Sequence, residues 1–264
     1  MSVTKAQLID ALDAFAPLRL QDDYDNAGLQ VGLKDDVITS VLVCLDITEA
    51  VVDEAVSLGC NMIVSHHPLI FRPLRQVSDS TYQQRCVFKA VRNGITIYSA
   101  HTNLDNAYDG VNFKIASLLG IGNLEWLKEN PSSGNVSSGS GVIGYLPEAE
   151  EPEEFLGRLK DIFKVECLQH SELPSGKISK IALCGGAGSF LMGEAIARGA
   201  DCFITGEISY HHYFDADGML LVAMGHYQSE QFTMDLFKDR ILTCFPDMRV
   251  LKTKLNTNPI RYRL

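Results

Sequence analysis

The most constraining stretch of this chain is 61–71, NMIVSHHPLIF. Met62 to Ser65 reads as a buried strand that runs directly into two adjacent histidines, and Pro68 then stops the backbone from continuing the sheet. Metal-capable side chains therefore stand at the carboxyl end of a strand, the edge of an open α/β sheet where ligands bind. Two other stretches end the same way. Ile95 to Ala100 leads into His101 with Asp105 following, and Leu220 to Met224 leads into Gly225, His226 and then Glu230. If a helical turn begins at each of these histidines, the i, i+4 spacing puts imidazole and carboxylate on one face. Four imidazoles and two carboxylates suit two divalent ions, each with about three protein ligands and positions left open for water or substrate.

The chain around these strand ends is repetitive. Val41 to Leu45, a helix from about Glu49 to Leu58 stopped by Gly59, and the strand ending at His66 form a βαβ unit, whose crossover makes its strands parallel. Laying Val41 on Ile181 places Cys44 on Cys184, Glu54-Ala55 on Glu194-Ala195, Gly59 on Gly199 and Met62–Ser65 on Cys202–Thr205 without a gap. His101-x-x-x-Asp105 then answers His226-x-x-x-Glu230. Such internal similarity predicts a duplicated α/β fold: two pseudo-symmetric lobes with mostly parallel sheets, facing a central cleft where equivalent strand ends meet. The expected lobes are 1–128 and 142–244, with the closing strand, about 245–264, a candidate to join the first. Residues 129–141, rich in serine and glycine, read as linker or surface loop.

Five further features need a reading. Thr4 with Gln7 fits a capping box before a helix whose Leu8, Leu12 and Phe15 share a face. Cys184-Gly-Gly-Ala-Gly-Ser189 reads as strand, glycine turn and helix start, so Gly185, Gly186, Gly188 and Ser189 are either a phosphate or substrate cradle or a tight turn. Gly139-x-Gly141-x-x-Gly144 matches a dinucleotide fingerprint by letters only, because no strand precedes it and no helix follows. Tyr24 to Gly32 reads as a turn feeding a short strand, and His170 as a solvated loop residue.

Composition narrows the function classes. A formal charge of −10 without a Lys/Arg run argues against general nucleic-acid binding and against an anionic membrane surface. No stretch approaches ~18 consecutive apolar residues, and no leader pattern opens the sequence, so a cytoplasmic protein is expected. The seven cysteines form no CxxC pair and lie mostly in apolar strand patterns, as reduced core residues do.

Taken together, YDNAGLQVG, LDIT, SHHPLIF, SAHTNLDNAYDGVN, CGGAGS, GEISYHH, GHYQSE and TNPI resemble the Ngg-one-interacting-factor-three-like (Nif-three-like) family, whose bacterial members are labelled GTP cyclohydrolase 1 type 2 homologue. The resemblance covers essentially the whole chain. It implies paired α/β lobes, a dinuclear metal centre ligated by His66, His67, His101, Asp105, His226 and Glu230, and a homohexameric toroid with its sites facing an inner cavity. Tyr24 stands where the family usually has Trp, and Glu207 and Ser209 where it usually has Asp and Lys. The family brings no settled substrate.

Two functional readings follow. One is a metal-dependent hydrolase of a small anionic or nucleotide-like substrate; the other is a non-catalytic metal carrier or ring-shaped regulatory scaffold. Mixed His and carboxylate ligands suit Fe, Mn, Zn, Co or Ni alike.

Overall fold

The computed structural model describes residues 2–131 and 136–263. Its contacts divide the chain into two compact units, Met1–Leu104 with Phe232–Pro259, and Asp105–Gln231 with Ile260–Leu264.

In the first unit, Thr4 and Gln7 cap each other reciprocally and start α1 (Lys5–Phe15), which buries Leu8 and Leu12. The sheet contains β1 (Gly28–Val31), β2 (Val41–Cys44), β3 (Met62–Ser65), β4 (Thr96–Ser99) and β11 (Val250–Lys252), in the order β1-β4-β3-β2-β11. Only β1 runs antiparallel to its neighbour. The crossovers are α2 (Glu49–Ser57), capped by Thr48, and α3 (Tyr82–Arg92), capped by Thr81. Every residue of β2, β3 and β4 is buried, which is why these strands are continuously apolar or small rather than alternating. At ~1.5–3 kcal/mol for each large side chain removed from water, this core fixes the strand ends that carry the histidines. The helix α9 (Thr233–Cys244) packs on this sheet and leads to β11, which pairs in parallel with β2.

The second unit is built around β5 (Gly122–Glu129), β6 (Gly139–Glu150), β7 (Gln169–His170), β8 (Ile178–Cys184), β9 (Cys202–Thr205) and β10 (Leu220–Ala223), in the order β5-β6-β8-β9-β10-β7. Its centre, β8-β9-β10, is parallel, flanked by antiparallel strands. Its helices include α5 (Val111–Leu118), α6 (Pro152–Phe163) and α7 (Met192–Ala197), the last preceded by a 3-10 turn over Gly188–Leu191.

The repeat is visible in hydrogen-bond register. Val41 pairs with Met62 and Cys44 with Ser65; Ile181 pairs with Cys202 and Cys184 with Thr205. Gly59 and Gly199 end the two crossover helices with φ of 69° and 65°, and in each copy the next amide returns to the same helical carbonyl, Cys60 to Ala55 and Ala200 to Ala195. In the second copy the helix is shorter and opens as a 3-10 turn.

The unit boundary departs from the one expected. Of residues 129–141, Glu129 ends β5, 139–141 open β6, and 130–131 and 136–138 lie on the connection between this antiparallel pair, all in the second unit; 132–135 fall outside the described residues. The glycines that suggested a linker serve close approach. A Cβ at Gly139 would meet Lys128 O at 2.5 Å, and one at Gly141, whose φ is +62°, would meet Leu183 O at 2.8 Å. The chain changes units instead between Leu104 and Asp105, so α5 and β5 belong to the second unit, where α5 packs on β6 and β8. The glycine fingerprint at 139–144 lies entirely within strand β6, as its context required. His170 is exposed as expected but belongs to β7, paired with Val222.

Candidate metal centre

In the first unit the backbone places three imidazoles together. His66 and His67 follow β3 directly, and His101 follows β4 at the start of α4 (Thr102–Asp105). β3 and β4 are parallel and in register, Ser65 opposite Ser99, so the two strand ends emerge side by side. The ring centroids lie 5.0 Å (His66–His67), 5.3 Å (His66–His101) and 5.5 Å (His67–His101) apart. One nitrogen from each of the three falls within 4.8 Å of the others, close enough to share one ion.

Each ring is held by its other nitrogen. His66 Nδ1 donates to Ala100 O at 2.9 Å, His67 Nδ1 to Asp46 Oδ1 at 2.7 Å, and His101 Nδ1 to Asp25 Oδ1 at 2.8 Å. A carbonyl or carboxylate oxygen can only accept, so the proton of each neutral imidazole sits on Nδ1 and the lone pair on Nε2 is presented for ligation. Fixing ring and tautomer through an outer oxygen is the usual support of a metal-bound histidine. The supports are themselves held. Asp46 Oδ2 accepts from Thr257 Oγ1 at 2.6 Å, and Asp25 Oδ2 accepts from the amide of Thr102 at 3.0 Å and from its hydroxyl at 2.5 Å. Burial raises the Asp25 pKa, but the hydrogen bond from His101, the positive charge that ring carries when protonated, and the hydrogen bonds from Thr102 and the Asn26 amide outweigh it and bring it down to about 2.

In the second unit His226 opens α8 (His226–Glu230) after Gly225, whose φ is 96°. Its Nδ1 donates to Glu207 Oε1 at 2.9 Å, and its Nε2 stands 3.2 Å from Glu230 Oε2, the carboxylate one turn along. Two donors bound at ~2.1 Å to one tetrahedral ion stand about 3.4 Å apart, so this pair has the spacing of two ligands on one metal. Glu230 is buried. Asp105, the sixth expected ligand, ends α4, and its carbonyl accepts from Asn112 Nδ2 at 3.0 Å. Each unit thus carries part of the expected set, His66, His67 and His101 in one, Asp105, His226 and Glu230 in the other.

In the glycine turn after β8, considered above as an anion cradle or a tight turn, most of the backbone amides are held by the protein itself. The amide of Gly185 donates to Asn112 Oδ1, that of Gly186 to Ser229 Oγ, and that of Gly188 to Thr205 Oγ1, all at 2.9–3.0 Å. Three of the four amides expected to hold a phosphate, those of Gly185, Gly186 and Gly188 but not Ser189, are therefore already engaged. The turn serves Glu230 instead: a Cβ at Gly186 would stand 2.4 Å from Glu230 Oε1 and 3.4 Å from His226 Nε2. Glycine here makes room for the carboxylate.

A family model described as Duf34/NIF3 (NGG1p interacting factor 3) matches residues 3–259. The chain belongs to the NIF3 family. It is 34% identical over 232 residues to a GTP cyclohydrolase 1 type 2 homolog of Clostridium acetobutylicum, covering 87% of this chain and 86% of that one. It is 30% identical to the protein NIF3 homolog of Schizosaccharomyces pombe, with 92% of each covered. Among solved structures it resembles Staphylococcus aureus hypothetical protein SA1388 (TM-score 0.90, 26% identity, both chains covered fully) and reduced HcgD of Methanocaldococcus jannaschii (TM-score 0.80, 27% identity, 97% and 99% covered).

Within this NIF3 fold, Asp25, Asp46, Glu207 and Thr257 are the residues that sequence reading left without a role. They stand in YDNAG, LDIT, GEISYHH and TNPI, motifs that carried the resemblance. Glu207 supplies a carboxylate to His226. Among the described residues no helix is long and apolar enough to cross a membrane. All seven cysteines are free thiols, five of them buried.

Proposed function

We propose that His66, His67, His101, Asp105, His226 and Glu230 together hold two divalent ions, and that the protein is a metal-dependent hydrolase of a small anionic or nucleotide-like substrate. The observation that carries this reading is common to all four histidines: each Nδ1 is tied to a fixed oxygen, leaving Nε2 for a ligand. Two bound ions would supply the charge that makes water nucleophilic near neutral pH and polarises a substrate oxygen. The chain's own part is to hold the donors. Asp25, Asp46 and Glu207 keep the rings oriented, and the buried Glu230 and half-buried Asp105 would offset positive charge. The name carried by the bacterial relatives, GTP cyclohydrolase 1 type 2 homolog, fits a nucleotide-like substrate. A cytoplasmic homo-oligomer, a hexameric ring, completes the proposal.

A second reading, a metal carrier or regulatory scaffold, draws on exposure: the side chains of His226 and Glu207 are 32% and 58% exposed, a setting from which an ion can leave. One experiment separates the two. The protein is loaded separately with Mn, Fe, Zn and Co and offered phosphomonoesters, cyclic nucleotides, GTP and small cyclic amides. Turnover above ~1 per minute that vanishes in His101→Ala supports the hydrolase, being slow against the usual 1–10³ per second but above background. Inert substrates, with ready transfer of the ions to an apo-acceptor, support the carrier.

A further inference from the structure

The loop that follows the histidine pair carries charge that no described residue pairs with. Residues 68–76 form one wall of a groove of about 580 Å³, and the first turn of α3 forms the other. Arg72 and Arg75 line it, both exposed, and neither guanidinium makes an ion pair or hydrogen bond with any described residue. The chain as a whole carries 33 acidic residues against 23 basic ones. Of the cations farther along α3, Arg85 pairs with Glu49 at 2.9 Å and Lys89 with Asp53 at 2.8 Å. The opposite wall adds to the positive potential, because the first-turn amides of a helix carry partial positive charge. Gln84, 7% exposed, also lines the groove; its Oε1 accepts from Ser78 Oγ at 2.6 Å, and its amide nitrogen has no acceptor among the described residues.

The groove is connected to the histidines through an aromatic side chain. Phe71 lines it, and its ring centroid is 6.0 Å from that of His101, edge to face. On its other side Phe71 meets the exposed Tyr24 at 6.3 Å. A ligand seated against the arginines would therefore extend past Phe71 toward the imidazoles.

We infer that this groove is the phosphate-binding subsite of the substrate, with Arg72 and Arg75 gripping a phosphate or pyrophosphate group while the rest of a phosphorylated small molecule lies along Phe71. Guanidinium pairs suit this ligand because their planar forks match phosphate oxygens two at a time. The inference rests on the hydrolase reading for its substrate, and it supplies the anion site that the glycine turn after β8 does not.

The test uses the full chain, stripped of metal so that ions cannot hold the probe, and titrates pyrophosphate by calorimetry. Wild-type protein should bind, Arg72→Gln/Arg75→Gln should bind at least about tenfold more weakly, equivalent to ~1.4 kcal/mol, and Arg72→Lys/Arg75→Lys should fall between them. After reloading, metal content should be equal in all three proteins. Absence of pyrophosphate binding by wild type, or equal affinity in the glutamine variant, overturns the inference. The two proposals fail separately. Arginine-dependent binding with no turnover of any substrate removes the hydrolase and keeps the anion site; turnover of a phosphorylated substrate with KM unchanged in the glutamine variant does the reverse.

Discussion

His67 Nδ1 donates to Asp46 Oδ1 at 2.7 Å, and the other oxygen of that carboxylate accepts from Thr257 Oγ1, 211 residues along the chain. The orientation of one ring of the histidine pair is therefore set by the end of β2 and by a residue near the C-terminus. The same arrangement recurs with different partners at His101 and Asp25 and at His226 and Glu207.

Removing these supports should weaken metal binding without removing a ligand. Asp46→Ala and Glu207→Ala are each expected to lower affinity ~10–100-fold, the usual cost of losing an outer partner of a metal-bound histidine. Thr257→Val should cost less, since Asp46 remains. Competition with a chelator, read by metal analysis, checks the order; unchanged affinity in all three would mean the bonds do not support ligation.

Gly186 and Gly193 make a paired test. An alanine Cβ at Gly186 would stand 2.4 Å from Glu230 Oε1 at a φ of +60°, whereas at Gly193, in α7, it meets nothing within 4 Å. Gly186→Ala should lower stability by ~1–3 kcal/mol and reduce metal occupancy, through backbone strain and displacement of the carboxylate. Gly193→Ala should be neutral or stabilise by ~0.4–1 kcal/mol. Thermal melts and metal content on the same samples distinguish them.

A third prediction concerns acid stability in the first unit. Burial, with a contribution from the Asp10 charge, raises the Asp13 pKa above its ordinary 3.8 despite the hydrogen bond it accepts from the buried Tyr98 hydroxyl. A carboxyl that binds its proton more tightly folded than unfolded favours folding most when protonated, below its unfolded pKa. That contribution is lost as pH rises through the folded value. Asp13→Asn should flatten the stability profile from about pH 4 upward; denaturant unfolding of metal-free wild type and variant at several pH values measures the difference, and identical slopes would reject the assignment.

Much of this protein was legible in sequence because it depends on local order. Strand β3 and the repeat at Ile181 to Thr205 followed from apolar runs, and both βαβ units share one register because the same pattern of side chains is buried in each. The i, i+4 pairing of His226 with Glu230 followed from helical geometry. Tertiary structure alone decided which oxygens hold the rings: Asp25 and His101 are 76 residues apart, and no periodicity encodes such a pair. It also decided what the glycines do. Gly139, Gly141 and Gly186 look like flexibility or an anion turn when read in line, but their missing Cβ atoms admit a neighbouring strand and the Glu230 carboxylate. Steric room of this kind belongs to whatever lies opposite in space, and for the same reason the unit boundary falls between Leu104 and Asp105 rather than in the serine- and glycine-rich run. Composition reports the freedom of an isolated chain; packing determines how that freedom is used.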